Sequence, residues 1–512
     1  LSLALDFGEG RVLPKLDLYI PEIVVRRDIR LNDQQKDAAK VNHRPTVITG
    51  PAGCGKSIVI TERIKNLCEE SGYSTSLNIL LTTFNKALCG CLAEWLNDLL
   101  DKSKFTKIGY EFYFGEDCEQ PNIRIMHFDI LPTRIGDFQN SLKFEPDYKY
   151  YLQESIDTIC ISENIKKEDF GDIFNPSFLY DEYVRVIYGQ QLETPEAYYT
   201  GQRKGRPYRL QTNGLKRKLI WLVTKHCLTN FETKGYELIH TRRHKLLKAM
   251  KEGHHRDLFT HIFVDEFQDC TLADYQIFYG LLKDNNNLVV AGDFAQAVHL
   301  GKTASVPREE QFVNVNNRMG NWDTKKLEGS YRLPFRISQC IRPLSEHLHI
   351  ANEYSDIITP YKGSPPGARP IAVYGKNEKE IWKKILWILW YYNQYQIVDF
   401  ESNGKKKINI LERDKSLCIL INNYRPGIAV TDSVLKLKGL EKECIVWSTR
   451  TTIKKEDAIN YVYTILTRTS SILIIALFPN LETHIIDAIK LLNKEYLMIW
   501  DEETRGYFEA NF

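Results

Sequence analysis

The sequence predicts an α/β protein built on two parallel, helix-covered sheets, and three observations carry that expectation. Short apolar runs rich in Val, Ile and Leu alternate with stretches of helical periodicity, the pattern of strands joined by crossover helices. One run, Thr46-Val47-Ile48-Thr49, enters a glycine-rich loop that is followed by Ile60, Ile64 and Leu67 at helical spacing. Another, His261-Ile262-Phe263-Val264, ends on two adjacent acids, Asp265 and Glu266. At 512 residues the chain exceeds the size at which one core keeps growing, so more than one domain is expected.

In chain order, the stretch from Val12 to Ile29 is extended and broken by prolines; with Leu1 in place of an initiator methionine, residues 1–30 read as the end of an upstream domain. The first sheet domain is expected in two pieces, 31–98 and 232–318, around a mainly helical insertion at 99–231, and the second from 319 to 512. Thr46–Thr49 and Asn78–Thr83 read as strands of the first, the latter followed by Phe84-Asn85-Lys86-Ala87-Leu88. Leu288-Val289-Val290-Ala291-Gly292-Asp293 is a further strand, stopping at a polar end before Gln296. In the second domain, strands are expected at Ile371–Tyr374, Leu417–Ile421, Glu443–Trp447 and Ser471–Leu477, with a helix around Ile381, Ile385 and Leu389.

The loop Gly50-Pro51-Ala52-Gly53-Cys54-Gly55-Lys56-Ser57 fits the phosphate-binding pattern Gly-x4-Gly-Lys-Ser. Glycines at Gly50, Gly53 and Gly55 let backbone N–H groups crowd round phosphates, and Lys56 and the Ser57 hydroxyl complete the site at a helix N-terminus. Asp265 and Glu266 stand at the carboxyl end of a buried strand, where open α/β sheets bind ligands. Two carboxylates there divide the work: Asp265 helps Ser57 hold Mg2+, and Glu266 polarises an attacking water. The two strings together point to the binding and hydrolysis of a nucleoside triphosphate on magnesium.

The 68 basic and 66 acidic side chains leave a net charge of +2, so only local clusters bear on a polyanionic partner. From Arg203 to Lys225 the chain carries Arg203, Lys204, Arg206, Arg209, Lys216, Arg217, Lys218 and Lys225 with no acid between them. That block suits phosphate contacts, with a merely solvated face as the alternative. The His-rich stretch from His240 to His255 reads as the solvated face of a helix leading to the strand at Ile262. Among 11 cysteines there is no Cys-x-x-Cys pair, and the nearest approach, Cys89-x-Cys91, is too isolated for zinc, so the thiols are expected to be reduced. No apolar run of about twenty residues and no secretory leader occur, so the expectation is a soluble, cytoplasmic chain without membrane contact.

From Leu31 onward the order of stations resembles the superfamily 1 helicases of the UvrD/Rep/PcrA type. Leu31-Asn32-Asp33-Gln34-Gln35 is similar to the family's Q motif, which implies that Gln35 reads the adenine edge; Arg63 falls where the family has a nucleotide-contacting arginine. The spelling Asp265-Glu266-Phe267-Gln268-Asp269 is the most family-specific string, and Gln296 matches the γ-phosphate sensor. Tyr331-Arg332 resembles the motif whose tyrosine packs on the base and whose arginine reaches the γ-phosphate. Lys438-Gly439-Leu440-Glu441 matches KGLE, so Gly439 and Glu441 join the nucleotide set. Tyr461 to Thr469 is similar to the final motif, which makes Arg468 a second arginine finger. The resemblance implies two RecA-like domains, a P-loop NTPase architecture using ATP and Mg2+, in which a cleft closes on the nucleotide.

For nucleic acid the implied contacts are Phe84 and Asn85, His127 in Met126-His127-Phe128, and the basic residues Lys216, Arg217 and Lys218 of the insertion. For His127 a buried structural role has equal weight. The chain departs from the family in two places. After Gln296 it reads Ala297-Val298-His299-Leu300-Gly301-Lys302, so the expected tryptophan position is Gly301, and a stacking ring worth about 1–3 kcal/mol per base is missing. The interval from Arg332 to Lys438 is short, so the family's fourth subdomain is expected to be absent or vestigial. Two functions are therefore expected. One is an ATP-dependent helicase or translocase stimulated by single-stranded DNA, 3′ to 5′ by resemblance, on single strands or tailed duplexes, with RNA equally compatible. The alternative is a DNA- or nucleotide-sensing ATPase switch that controls a partner or upstream effector, such as a nuclease, in a bacterial defence or repair complex.

Overall fold

The central strands of both sheets form where branched and apolar residues run unbroken. The computed structural model describes residues 30–298 and 322–512, apart from 101–104, 116–120, 137, 172, 205, 207–208, 354, 394–407, 412–413, 425–428, 434–439, 441, 451–452 and 454. The described chain divides into two compact units. One holds Leu31–Thr49 and Lys56–Leu327, and the other holds Gly50–Gly55 and Glu328–Phe512.

In the first unit the strands are β1 (Thr46–Thr49), β2 (Asn78–Thr83), β3 (Thr106–Ile108), β4 (Glu111–Phe114), β5 (Asn122–His127), β6 (Ser141–Leu142), β7 (Tyr236–Glu237), β8 (His261–Asp265), β9 (Leu288–Gly292) and β10 (Asp323–Lys326). Apart from β6 and β7, which pair with each other, they form an eight-stranded sheet in the order β10-β1-β9-β8-β2-β5-β4-β3. Only β3–β4 and β4–β5 pair antiparallel. Ile262, Phe263 and Val264 of β8 are 0–1% exposed, as a strand covered on both faces requires. The register places Thr83 opposite both Asp265 and His127, Asp265 opposite Ala291, and Thr49 opposite Gly292. The chain ends of five neighbouring strands therefore lie along one edge, where parallel sheets bind ligands.

Helices close on this sheet for local reasons. The first, α1 (Asp33–Ala39), opens on a capping box in which the Asn32 side chain accepts the Gln35 N–H and the Gln35 side chain accepts the Asn32 N–H. The second, α2 (Lys56–Glu70), buries Val59, Ile60, Ile64 and Leu67, the spacing expected of its apolar face. The third, α3 (Lys86–Leu99), starts at Asn85, whose side chain accepts the N–H groups of Ala87 and Leu88.

Two boundaries differ from the sequence reading. β3, β4 and β5 fall within 99–231 but extend the sheet, because Phe112, Phe114, Ile123 and Ile125 alternate inward. β10 falls after 319 yet pairs with β1. The rest of 99–231 is mainly helical, with Leu131–Ile135, Glu145–Ser162, Pro176–Glu182, a π-helical turn Tyr183–Tyr188, Pro195–Thr200 and Leu215–Thr233 beside the short β6, and the helix Ile239–Lys251 follows it. The helix Ile239–Lys251 buries Arg242, Arg243, Leu246, Leu247 and Met250 on one face, while of the histidines expected on its solvated side His240 and His244 are half-buried and His254 and His255, beyond its end, are exposed.

The second unit carries β11 (Ile371–Tyr374), β12 (Ile408–Leu411), β13 (Ala429–Asp432), β14 (Lys442–Ser448), β15 (Thr469–Leu477) and β16 (Met498–Ile499). They form a six-stranded sheet in the order β13-β12-β14-β15-β11-β16, with parallel pairing throughout. Its core packs Ile371, Val373, Ile408, Ile410, Val446, Ile472 and Ile474 against Ile381, Ile385 and Leu389 of the helix Glu378–Asn393. Each fully buried branched side chain contributes about 1.5–3 kcal/mol. Leu417–Ile421, expected as a strand, is instead part of the helix Lys415–Tyr424, and Ile408–Leu411 is the strand. A short apolar run does not distinguish the two; the Asp414 carboxylate, which accepts the Leu417 N–H at 3.0 Å, starts the helix. Among the described residues no helix is long and apolar enough to cross a membrane.

Candidate nucleotide-hydrolysis site

The glycine-rich loop between β1 and α2 has the backbone that only glycine supplies cheaply. Gly53 and Gly55 sit at φ of +76° and +91°. A Cβ on Gly53 would lie 2.5 Å from Arg332 Cβ and 2.7 Å from Ser330 Oγ, so close approach as well as conformation fixes this residue. The Tyr331 N–H donates to Gly53 O at 2.9 Å. Arg332 Nη1 donates to Thr467 O at 3.4 Å, and Arg468 Nε to Thr464 O at 3.1 Å. The two arginines expected at the γ-phosphate thus attach to one turn, Thr464–Arg468, in the unit that also contains the loop Gly50–Gly55. Arg468 is 1% exposed. The Tyr331 ring stacks on Tyr361 with centroids 4.1 Å apart and planes 27° apart, a partner that no motif marks.

At the end of β8, Ser57 Oγ donates to Asp265 Oδ2 at 2.5 Å, joining the start of α2 to the acidic pair. Asp265 Oδ1 accepts the Glu266 N–H at 2.9 Å. Burial and then the neighbouring Glu266 push the Asp265 carboxyl up from its usual range, against the Ser57 hydrogen bond. Glu266 stands at φ +60°, a left-handed conformation unusual for glutamate that persists where surrounding contacts over-determine it. Those contacts run through Gln268, which the motif shows only as one of its letters. Its Nε2 donates to Glu266 Oε2, and its Oε1 accepts the Asp293 N–H at 3.1 Å. Asp293 in turn accepts Gln296 Nε2 at 2.8 Å. A Cβ on Gly292 would fall 2.1 Å from Gln268 Oε1, so this glycine makes room for the bridge.

The hydroxyl of Ser57 and the carboxylates of Asp265 and Glu266 are hard oxygen donors, which suit Mg2+, an ion that keeps waters and takes one or two carboxylates beside substrate phosphates.

The remaining expected residues are placed less uniformly. Gln35 is buried and its Oε1 serves the cap of α1. Arg63, 2% exposed, donates to Ala38 O, Asn42 Oδ1 and Thr46 Oγ1, which ties α2 to the end of α1 and to β1; burial lowers it to about 10. Asn85 caps α3. His127 is buried: its Nδ1 accepts the Asp129 N–H at 3.2 Å, which leaves Nε2–H to donate to Phe84 O at 2.8 Å, and burial lowers its pKa. The structural role for His127 is therefore the one its contacts show. Phe84 remains half-buried, its ring 5.0 Å from that of Phe128. Arg217 corrects the expectation of a phosphate contact: its guanidinium is enclosed and donates to the carbonyls of Tyr198, Tyr199, Gly201 and Leu210. Arg203 and Arg206 pair with buried Glu182, whereas Lys204, Arg209, Lys218 and Lys225 are exposed and Lys216 is half-exposed. Gly439 and Glu441, and the stacking position Gly301, lie outside the described residues.

Residues 31–312 match the family described as the UvrD/REP helicase N-terminal domain. The chain is 25% identical over 320 residues to the ATP-dependent DNA helicase PcrA of Staphylococcus epidermidis, covering 62% of this chain and 40% of that protein. It is 25% identical over 305 residues to the PcrA of Staphylococcus aureus, covering 59% and 38%. The matched region spans about two fifths of the length of these relatives. A glycine loop, a Ser57–Asp265 hydrogen bond and a Glu266–Gln268–Asp293 bridge, with a family match over more than half of the chain, lead to one conclusion: this chain belongs to the UvrD/REP helicase family.

Proposed function

We propose that this chain is an ATP hydrolase that moves on single-stranded DNA in the 3′ to 5′ direction or unwinds tailed duplexes. The observation that carries the proposal is the 2.5 Å hydrogen bond between Ser57 and Asp265 beside a strained, bridged Glu266. Backbone N–H groups of the loop and Lys56 bind the β- and γ-phosphates. Glu266, aimed by Gln268, orients the attacking water and accepts its proton. Bound Mg2+ would be held by Ser57 and Asp265 and would neutralise charge on the phosphates. Arg332 and Arg468 stabilise the transferring phosphoryl group, a task for which a planar, permanently charged guanidinium is suited. Tyr331 packs on the base. Likeness to proteins named as ATP-dependent DNA helicases supports DNA as the polymer.

A second reading is favoured by a specific observation. Between Arg332 and Lys438 the described elements are the helix Phe335–Ala351, β11, the helix Glu378–Asn393, β12, the helix Lys415–Tyr424 and β13, and those from β11 to β13 build the second sheet rather than a further subdomain. The same ATPase can then serve as a DNA- or nucleotide-sensing switch for a partner or effector. Hydrolysis measured with and without oligothymidine, beside strand displacement on a 3′-tailed duplex, separates the readings. Stimulated hydrolysis with displacement supports the helicase, stimulated hydrolysis alone supports the switch, and unchanged turnover in Lys56→Ala removes both.

A further inference from the structure

The ring stacked on Tyr331 comes from a segment that no motif marks. Thr359-Pro360-Tyr361-Lys362-Gly363-Ser364-Pro365-Pro366-Gly367 runs beside residues 329–336 and is tied to them along its length. The Ser330 N–H donates to Thr359 O at 2.8 Å and the Tyr361 N–H to Ser330 O at 3.2 Å, a parallel bridge between Ser330 and Pro360. A Cβ on Gly329, which stands at φ +77°, would lie 3.2 Å from Tyr361 Cα, so glycine lets the two backbones meet. The Ser364 N–H then donates to Tyr361 O at 2.9 Å, closing a turn. Farther on, the N–H groups of Phe335 and Arg336 donate to Pro365 O and Pro366 O, each at 2.9 Å. The segment thereby supplies acceptors to the start of the helix Phe335–Ala351, where no side chain caps.

On that pinned backbone the Tyr361 ring lies nearly face to face with the Tyr331 ring, with centroids 4.1 Å apart and planes 27° apart. Tyr331 is half-buried, whereas Tyr361 is 39% exposed. The Tyr331 N–H is bonded to Gly53 O at 2.9 Å, so the direction of its ring relative to the glycine-rich loop fixes where a base can lie when that loop holds the phosphates. Tyr361 covers one face of the Tyr331 ring and leaves the opposite face for a flat partner. We propose that Tyr361 is a positioning residue for the nucleobase of ATP: it backs the Tyr331 ring and holds it in the plane on which the base stacks, the outermost member of a stack of three rings. The inference rests on the reading of Tyr331 as the ring that packs on the base. Such a role tightens substrate and transition state alike, because the base is remote from the bond that breaks.

The test is calorimetric titration of ADP and of inorganic tripolyphosphate, each with Mg2+, into the full chain. Tyr361→Ala should bind ADP about twofold to tenfold more weakly, the range of an aromatic pair, and should bind tripolyphosphate, which has no base, like the parent. Tyr361→Phe keeps the ring and should match the parent with both. In steady-state hydrolysis Tyr361→Ala should raise KM for ATP by the same factor with kcat unchanged, the mark of lost uniform binding. In a Tyr331→Ala background Tyr361→Ala should weaken ADP no further, since it acts only through that ring. Unchanged or tighter ADP binding in Tyr361→Ala, equal losses for ADP and tripolyphosphate, or the same loss in Tyr361→Phe overturns the inference. If Tyr331→Ala weakens ADP while Tyr361→Ala does not, the inference fails and the base-packing reading stands; if Tyr331→Ala binds ADP like the parent, both fail.

Discussion

Glu266 shows how one residue's chemistry depends on neighbours that carry none. Its left-handed backbone points the carboxylate where Gln268 can hold it, and Gln268 reaches there only because Gly292 leaves space. Glu266→Gln keeps the bridge and removes the carboxylate proposed as base, so ATP should bind normally and turn over at least about a hundredfold more slowly. Gly292→Ala keeps the base and displaces the bridge, since the added methyl meets Gln268 Oε1 at 2.1 Å. Turnover should fall about a hundredfold, the usual consequence of a misplacement near 1 Å, and the melting temperature should fall as well, because the methyl also meets the buried Phe267 ring at 2.8 Å. Parental turnover in Gly292→Ala would show that Gln268 does not aim Glu266. Lys56, Ser57, Asp265 and Glu266 were legible because motif spacing states them. Gln268 as a bridge was not, because its role depends on Asp293, which follows a different strand.

At the scale of elements, caps and buried charges decide what periodicity leaves open. Burial alone would raise the Asp414 carboxyl, but hydrogen bonds from Arg450, the Leu417 N–H and Ser448 outweigh it and hold the group below the usual carboxylate range. Its stabilisation is therefore complete above the unfolded-state pKa of about 4 and disappears as pH falls through the lowered folded value. Asp414→Asn should cost about 1–2 kcal/mol at neutral pH in chemical denaturation, the difference from the parent shrinking toward about pH 3. A difference independent of pH would mean that its charge is not what starts the helix Lys415–Tyr424. The basic block divides in the same way. Arg217 holds together the carbonyls of the 198–210 segment, so Arg217→Ala leaves buried acceptors and should destabilise by about 1–3 kcal/mol. Lys216→Glu with Lys218→Glu should leave stability unchanged, weaken binding to single strands and flatten its dependence on salt by about one unit of slope for each phosphate no longer neutralised. An unchanged slope would leave these lysines as solvated surface. A run of eight cations looks uniform in sequence, and only burial separates those that hold the fold from those that can meet a polymer.

For the molecule as a unit, the reaction proposed above draws on Lys56, Asp265 and Glu266 in one part of the chain and on Arg332 and Arg468 in the other. Hydrolysis should need both. Arg468→Lys keeps charge and most of the volume at a 1% exposed position but loses the planar fork, so turnover should drop by about a thousandfold with the fold retained. Hydrolysis at the parental rate would remove Arg468 from the reaction. The two largely parallel sheets, the glycine-rich loop, the acidic strand end and the family could all be read before any coordinates, because each is written in local spacing: apolar runs for buried strands, glycines for a tight loop, fixed offsets between motif residues. Three-dimensional packing was needed to show that β3 to β5 and β10 belong to the first sheet, that Leu417–Ile421 is helical, that Asn85, His127 and Arg63 serve the scaffold, and that Gln268 and Tyr361 stand behind Glu266 and Tyr331. These outcomes depend on which groups are desolvated together across long stretches of chain, and a burial partner far away in sequence leaves no mark on local periodicity.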